Sequence, residues 1–165
     1  QTVLYVKQKA LAFKEDVKVF ADEQQTHQLF AIKANKIIDF SAQYNITTPQ
    51  GMPVGTVKRQ GMKSIWKASY LIADHTGAEV GRIYEENPWM KVLDALVSDI
   101  PFVGMFINPA YLVDLDGQSV LHLKKQPAML EGKFVLTKRG EFNEVQENLL
   151  LTSIIMTMML ERSRG

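Results

Sequence analysis

A strongly apolar segment near the carboxyl end of the chain predicts a buried helix. Residues 149–160 read LLLTSIIMTMML, and the polar side chains among them, Thr152, Ser153 and Thr157, are small. At 3.6 residues per turn, apolar side chains surround this helix on every side, which is typical of a membrane span or of a helix enclosed by protein. The segment forms roughly 18 Å of helix, whereas a bilayer core requires roughly 20 apolar residues. We therefore expect no transmembrane span and a helix that the rest of the protein encloses.

The charged residues on either side of this segment also favour a helix. Glu144 and Glu147 precede it, and Arg162 and Arg164 follow it. Acidic residues stabilise the first turn of a helix and basic residues the last, because they complement the helix dipole. The predicted helix therefore covers about residues 143–162.

Alternating apolar and polar residues, the pattern of half-buried strands, cover much of the remaining chain. Six positions of one pattern occur three times: Tyr44, Ile46, Gly51, Val54, Gly55 and Val57; 26 residues later Tyr70, Ile72, Gly77, Val80, Gly81 and Ile83; and, with a turn one residue shorter, Tyr111, Val113, Gly117, Val120, Leu121 and Leu123. Each copy has alternation on both sides of a turn that contains glycine, which predicts a β-hairpin. The sequence leaves open whether the copies are a true internal repeat or three similar hairpins.

Gly55 and Gly81 occupy the same strand-interior position in the first two copies. Glycine weakens a strand unless another part of the chain comes close to it. Our hypothesis is that both glycines face inward and make room for the carboxyl-terminal helix. A bulge or an exposed glycine is the alternative, and Leu121 in the third copy shows that the position does not always require glycine.

A second helix is predicted between the second and third hairpins. Asn87 and Pro88 suit its start, apolar residues recur at helical spacing over 89–97, and Pro101 ends it. The pattern is amphipathic, which predicts packing against the outside of the sheet. The alternative, a helix on a membrane surface, would normally carry more basic residues than Lys91 alone.

These elements predict a mostly β (α+β) protein with a single domain over residues 1–165. Roughly 10 to 12 short strands and one apolar helix fit a closed antiparallel barrel of about 12 strands that encloses the carboxyl-terminal helix, with the amphipathic helix outside. Because the helix fills the lumen, a ligand would have to bind at the rim or on the outer wall.

The composition narrows the classes of function. The formal net charge is +1, from 19 basic and 18 acidic residues, so no overall field attracts nucleic acid or an anionic membrane, and no nucleic-acid partner is expected. Any function that depends on charge must come from local clusters of charged residues. The chain has no cysteine, which excludes disulfides, thiolate nucleophiles and Cys-ligated metals and fits a reducing, cytoplasmic compartment.

No catalytic pattern is found. The histidines, His27, His75 and His122, lack the spacing of metal ligands, and Asp116 and Gly117 are typical of a tight turn. The adjacent Glu85 and Glu86 would face opposite sides of a strand and could not act as a pair. We therefore expect a protein that is not an enzyme and has no metal or cofactor.

Two basic clusters are candidates for binding. Their residues are Lys58, Arg59, Lys63 and Lys67, with Trp66 among them, and Lys124 with Lys125. A groove that combines them could hold a phosphate headgroup, with Trp66 at a membrane interface. The alternative is that these are ordinary solvated strand ends, where lysine is common.

The chain resembles the LURP-one-related proteins, which belong with the Tubby carboxyl-terminal domain and the phospholipid scramblases. The resemblance lies in LYVKQKALAFKEDVKVFADE at 4–23, YLIADHTGAEVGRIYEE at 70–86 and the apolar carboxyl-terminal helix. It implies a barrel of about twelve strands around that helix. Within the superfamily, Tubby domains bind phosphoinositides and scramblase-like members associate with membranes. No residue here matches the Tubby phosphoinositide residues or the scramblase calcium segment.

We therefore expect a non-enzymatic module that binds lipid headgroups or phosphoinositides, or associates with a membrane surface, in the cytoplasm or peripherally at a membrane. The alternatives are a protein-interaction or structural scaffold and, less favoured, an enzyme with an unfamiliar site on the rim. The sequence indicates no oligomeric state.

Overall fold

Ten antiparallel strands and one carboxyl-terminal helix make up the described part of the chain. The structure is a computed structural model, and it describes residues 4–8, 16–35, 42–60, 69–86, 110–126 and 133–162. The strands are β1 (Tyr5–Gln8), β2 (Asp16–Phe20), β3 (Gln28–Ala34), β4 (Gln43–Thr47), β5 (Pro53–Arg59), β6 (Ser69–Asp74), β7 (Glu79–Glu85), β8 (Ala110–Leu115), β9 (Gln118–Gln126) and β10 (Lys133–Lys138), and the helix is α1 (Glu144–Arg162).

The strands form one sheet in which each strand pairs with its neighbours in the sequence, in the order β1 to β10. The predicted mostly β fold with a carboxyl-terminal helix is confirmed. The sheet of described strands is not closed, because β1 and β10 do not pair with each other, so the closed barrel of about twelve strands is not confirmed. The predicted outer helix after Asn87 lies outside the described residues, and the single-domain assignment stays a prediction.

The three hairpins predicted from the repeated pattern share one register. Tyr44 pairs with Val57, Tyr70 with Ile83 and Tyr111 with Leu123. Each pairing shifts by one residue at the same place, and the extra residues of these bulges are Val54, Val80 and Val120. The turn glycines Gly51, Gly77 and Gly117 all have positive φ, between +80° and +88°. The copies are therefore equivalent in structure as well as in sequence.

The two strand-interior glycines have different neighbours. A Cβ added to Gly55 would lie 2.6 Å from Cδ1 of Leu149 in α1 and would also meet the carbonyl oxygen of Ala73. A Cβ on Gly81 would instead meet the carbonyl oxygen of Asp114 in β8. The neighbouring strand comes close to both glycines, and the hypothesis that they make room for the helix holds in part for Gly55, where Leu149 also comes close, and is wrong for Gly81.

Helix α1 packs against the face of the sheet that carries the buried residues, which we call the inner face. It contacts β3, β5 and β6. Leu150, Ile154 and Met156 are buried, and Ile155 and Met158 are partly buried against the core. The prediction of a helix with no solvated face through its apolar segment is therefore confirmed in the described residues.

The polar side chains inside α1 hydrogen-bond to the helix itself. The hydroxyls of Thr152, Ser153 and Thr157 donate to backbone carbonyl oxygens four residues earlier, at 2.7, 2.6 and 2.9 Å. A buried hydroxyl without a partner would be costly, so these bonds let the helix stay apolar on its outside. In the described part of the chain, no helix combines the length and the hydropathy that a membrane crossing requires.

Candidate functional site

The residues of the first basic cluster are only partly described. Lys58 is exposed on the outer face of β5, the face opposite the core, whereas the next residue, Arg59, shares the inner face with Val57 and is half-buried. Lys63, Trp66 and Lys67 lie outside the described residues. The structure therefore places one predicted cation of this cluster, Lys58, on the outer surface.

The second cluster shows the same alternation on β9, where Lys124 is exposed and Lys125 is half-buried. The carboxyl ends of strands β5 and β9 point the same way, but three other strands lie between them. At about 4.8 Å per strand this separation is roughly 19 Å along the surface. The described residues do not bring the two clusters into one groove, and the binding role of both stays a prediction.

Charge is distributed unevenly over the sheet, although the whole chain is nearly neutral. Strands β1 to β5 contain one acidic residue, Asp16, and five basic residues: Lys7, Lys18, Lys33, Lys58 and Arg59. The four lysines are all exposed. Each takes the polar position of an alternating strand whose other positions form the core, so the outer face of this half of the sheet is basic.

Three of these lysines, Lys7, Lys18 and Lys33, lie close together on neighbouring strands. Lys7 of β1 is directly opposite Lys18 of β2. Lys33 of β3 is two residues along from Ala31, which pairs with Lys18, so Lys33 is a diagonal neighbour of Lys18. Directly opposite residues have Cβ atoms about 5 Å apart, and diagonal ones about 7 to 8 Å. The three residues therefore form one surface of net positive charge, which we call the lysine face and which also carries Asp16 opposite Lys33.

The spacing of charged residues along the sequence does not reveal the lysine face. Its residues are more than ten positions apart in the chain, and pairing of the strands brings them together. The available signal was a lysine at an outward position in each of three successive segments.

A second polar group lies on the outer face of β7 and β8. The Arg82 guanidinium donates from Nε to Oδ2 of Asp114 at 3.0 Å, and its Nη2 lies 3.0 Å from the same oxygen. The Tyr84 hydroxyl donates to Oδ1 of Asp114 at 3.3 Å, and Arg82 lies 4.9 Å from the centre of the Tyr84 ring. Asp114 is 6% exposed, so its charge is balanced by Arg82 at a nearly buried position. Burial, and then the negative charge of Asp114, raise the pKa of Tyr84 above 10.0.

His122 and Glu86 form a further pair beside this group. Nε2 of His122 in β9 lies 3.0 Å from Oε2 of Glu86. As predicted, Glu85 and Glu86 face opposite sides, since Glu85 is buried and Glu86 is exposed. Arg82 and His122 on this half of the outer face thus have carboxylate partners, unlike the three cations of the lysine face. Among the described residues, no three His, Asp or Glu side chains are arranged to hold a metal ion.

A small cavity of about 180 Å³ lies between β9, β10 and the start of α1. Its lining residues are Leu121, Leu136, Lys138, Phe142, Glu147 and Leu151. The Lys138 ammonium is 2.8 Å from Oε2 of Glu141 and 4.7 Å from the centre of the Phe142 ring. The cavity is therefore mainly apolar, and its one lysine already has an anionic partner.

Comparison with known proteins places the chain in a family. No curated protein and no solved structure matched it. The family model described as LURP-one-related matches residues 2–93, which is more than half of the chain and includes β1 to β7 with the lysine face. The chain belongs to the LURP-one-related family.

Proposed function

We propose that this protein is a non-enzymatic module that binds anionic lipid headgroups at a membrane surface, from a cytoplasmic location. The observation that carries the proposal is the charge imbalance of β1 to β5, where exposed lysines on the outer face outnumber the single carboxylate. Anionic lipid surfaces attract such groups of lysine and arginine. The sequence also resembles a superfamily in which some members bind lipids, and this resemblance supports the same class of ligand.

The position of the core also favours binding on the outside. Buried apolar side chains of the sheet and helix α1 fill most of the inner face in the described part of the chain, which leaves little room there for a lipid headgroup. A closed barrel of about twelve strands, which would enclose α1 on all sides, is part of this proposal because no residue of the apolar segment 149–160 is exposed, although one stripe of the helix is only partly buried: Leu151, Ile155, Met158 and Met159.

The test is cosedimentation of the full chain with vesicles of phosphatidylcholine alone, and with phosphatidylserine or a phosphoinositide added. We expect binding only to the anionic vesicles, and weaker binding as salt is raised, because salt screens exposed charges. The variant Lys58→Ala/Arg59→Ala/Lys63→Ala tests the predicted first cluster. Equal binding to neutral and anionic vesicles would contradict the proposal.

A protein-interaction scaffold is the second candidate, and the observation that favours it is the exposure of β10. Val135 and Leu136 are each 37% exposed, on opposite faces of this strand. Exposed apolar residues on a strand at the edge of a sheet are typical of sites where another chain adds a strand. A stable complex with a purified protein that Val135→Lys/Leu136→Lys abolishes, together with no response to lipid, would select this function.

A further inference from the structure

We infer that the lysine face, formed by Lys7, Lys18 and Lys33, docks flat on an anionic bilayer and responds to its density of negative charge instead of recognising one headgroup. This inference rests on the proposed function and specifies which surface of the protein carries it out.

The first argument is the direct opposition of two like charges. Lys7 and Lys18 occupy the same cross-strand pair, with Cβ atoms about 5 Å apart. Like charges in this position repel each other and destabilise the sheet. An anionic surface placed over both would offset that repulsion, so the arrangement is more favourable on a charged bilayer than in free solution.

The second argument is that these lysines are not engaged with carboxylates. Asp16 is directly across from Lys33, but its Oδ1 has no hydrogen-bond partner, and no ion pair among the described residues joins the two side chains. The ammonium of Lys7 donates to a neutral partner, Oε1 of Gln25, at 2.9 Å. In contrast, Arg82 is paired with Asp114 on the other half of the same face. Binding of an anion at the lysine face would therefore break no described ion pair.

The third argument concerns shape. A site for one headgroup needs donors that converge from several sides of a concave pocket. Here the three lysines stand on one side of a sheet, with the small Ala31 next to Lys18, and the cavity described above lies beside β9 and β10. A surface of exposed lysine side chains on one side of a sheet matches a plane of many headgroups.

The experiment measures binding of the full chain to phosphatidylserine vesicles. Each lysine near an anionic surface contributes about a five-fold change in affinity, so K7Q/K18Q/K33Q should weaken binding by roughly 100-fold. The matched control K133Q/K138Q/R139Q loses the same charge from β10 and the residue that follows it, and should bind within about three-fold of the natural chain. The variant K7R/K18R/K33R keeps the charges and should retain binding. Thermal unfolding of each variant shows that it is folded.

A second arm tests the response to charge density. Vesicles with phosphatidylserine and vesicles with a phosphoinositide, matched in surface charge, should bind the chain equally, and soluble inositol phosphates should not compete. Selectivity for one headgroup, competition by the soluble form, or preferential binding of soluble polyglutamate would overturn the inference.

The outcomes separate the two proposals. If the natural chain binds no anionic vesicle, the proposed function fails and the inference fails with it. If the natural chain binds but K7Q/K18Q/K33Q binds equally well, or loses no more affinity than the β10 control, the inference alone is overturned and the headgroup site lies elsewhere.

Discussion

Leu149 of helix α1 occupies the space that a side chain on Gly55 of β5 would need, since an added Cβ would lie 2.6 Å from Leu149 Cδ1. We expect Gly55→Ala to lower the free energy of unfolding by about 1 to 3 kcal/mol, the usual effect of overpacking a core. Chemical denaturation followed by circular dichroism measures this change.

A double-mutant cycle identifies the helix as the cause. Leu149→Ala alone should cost about 2 to 5 kcal/mol, because it leaves a cavity. In the Leu149→Ala background, Gly55→Ala should cost less than it does in the natural chain, although the carbonyl oxygen of Ala73 keeps part of the penalty. Gly81→Ala is the control, because its close neighbour is Asp114 in β8. Equal coupling of both glycines to Leu149 would contradict the assignment.

These glycines show what the sequence can and cannot predict. Glycine within an alternating pattern correctly predicted a close approach at both Gly55 and Gly81. The identity of the approaching group depends on which strand is next in the sheet, and local pattern does not contain that information. At the third equivalent position, Leu121 faces Lys138 of β10, the last strand of the described sheet, and a large side chain fits.

The amino terminus of α1 supplies a second prediction. Asn143 and Gln146 form a capping box: the Gln146 backbone N–H donates to Oδ1 of Asn143, and the Asn143 backbone N–H donates to Oε1 of Gln146, both at 2.9 Å. We expect Asn143→Ala to lower the free energy of unfolding by about 1 kcal/mol, because helix N–H groups lose their acceptor.

Val145 provides the matched control for this cap. It lies in the same turn, is 68% exposed and makes no capping bond, so Val145→Ala should change stability by less than about 0.5 kcal/mol. Urea unfolding curves of the two variants give the comparison. Indistinguishable midpoints would show that the capping bonds contribute nothing measurable.

Two aspartates in turns give a prediction about acid. Asp74 accepts hydrogen bonds from the Thr76 hydroxyl at 2.6 Å and the Thr76 N–H at 2.8 Å, and the hydroxyl is the main cause of its lowered pKa. The pKa of Asp22 is also lowered, mainly by the backbone N–H of Thr26. Thr76→Ala should therefore raise the pKa of Asp74 more than Thr26→Ala raises that of Asp22, which NMR titration of the carboxyl carbons measures.

The direction of the effect on stability follows from these lowered pKa values. Because the folded protein holds these protons less tightly than the unfolded chain, whose aspartates titrate near 3.8, the contribution is present above that pH. It is lost as the pH falls through the lower values of the folded state. If Thr26→Ala raised the pKa of Asp22 more than Thr76→Ala raised that of Asp74, the hydroxyl would not be the main cause at Asp74, nor the backbone N–H at Asp22.

The fold and the candidate site differ in how far the sequence predicts them. The apolar segment 149–160 and the charged residues around it identify α1 within one residue of its start, because helix formation depends on local spacing. Closure of the sheet depends on pairing between distant strands, and the alternation of one strand does not specify its partner. The lysine face was missed for the same reason: Lys7, Lys18 and Lys33 become neighbours only through strand pairing.

The interaction of Arg82, Tyr84 and Asp114 leads to a prediction with two opposite signs. Burial is the main cause of the raised pKa of Tyr84, the negative charge of Asp114 raises it further, and the positive charge of Arg82 lowers it. Asp114→Asn should therefore lower the pKa of Tyr84, and Arg82→Gln should raise it. Titration of ring-labelled tyrosine by NMR measures both shifts, with Tyr84→Phe to assign the resonance.

The same pKa determines how stability changes in base. Since the folded pKa of Tyr84 is above the unfolded value of 10.0, its contribution is fully present below pH 10 and is lost as the pH rises toward the folded pKa. Tyr84→Phe should remove this alkaline decrease without altering the acid decrease assigned to Asp22 and Asp74. If Asp114→Asn and Arg82→Gln shifted the pKa of Tyr84 in the same direction, the opposite effects assigned to the two charges would be wrong.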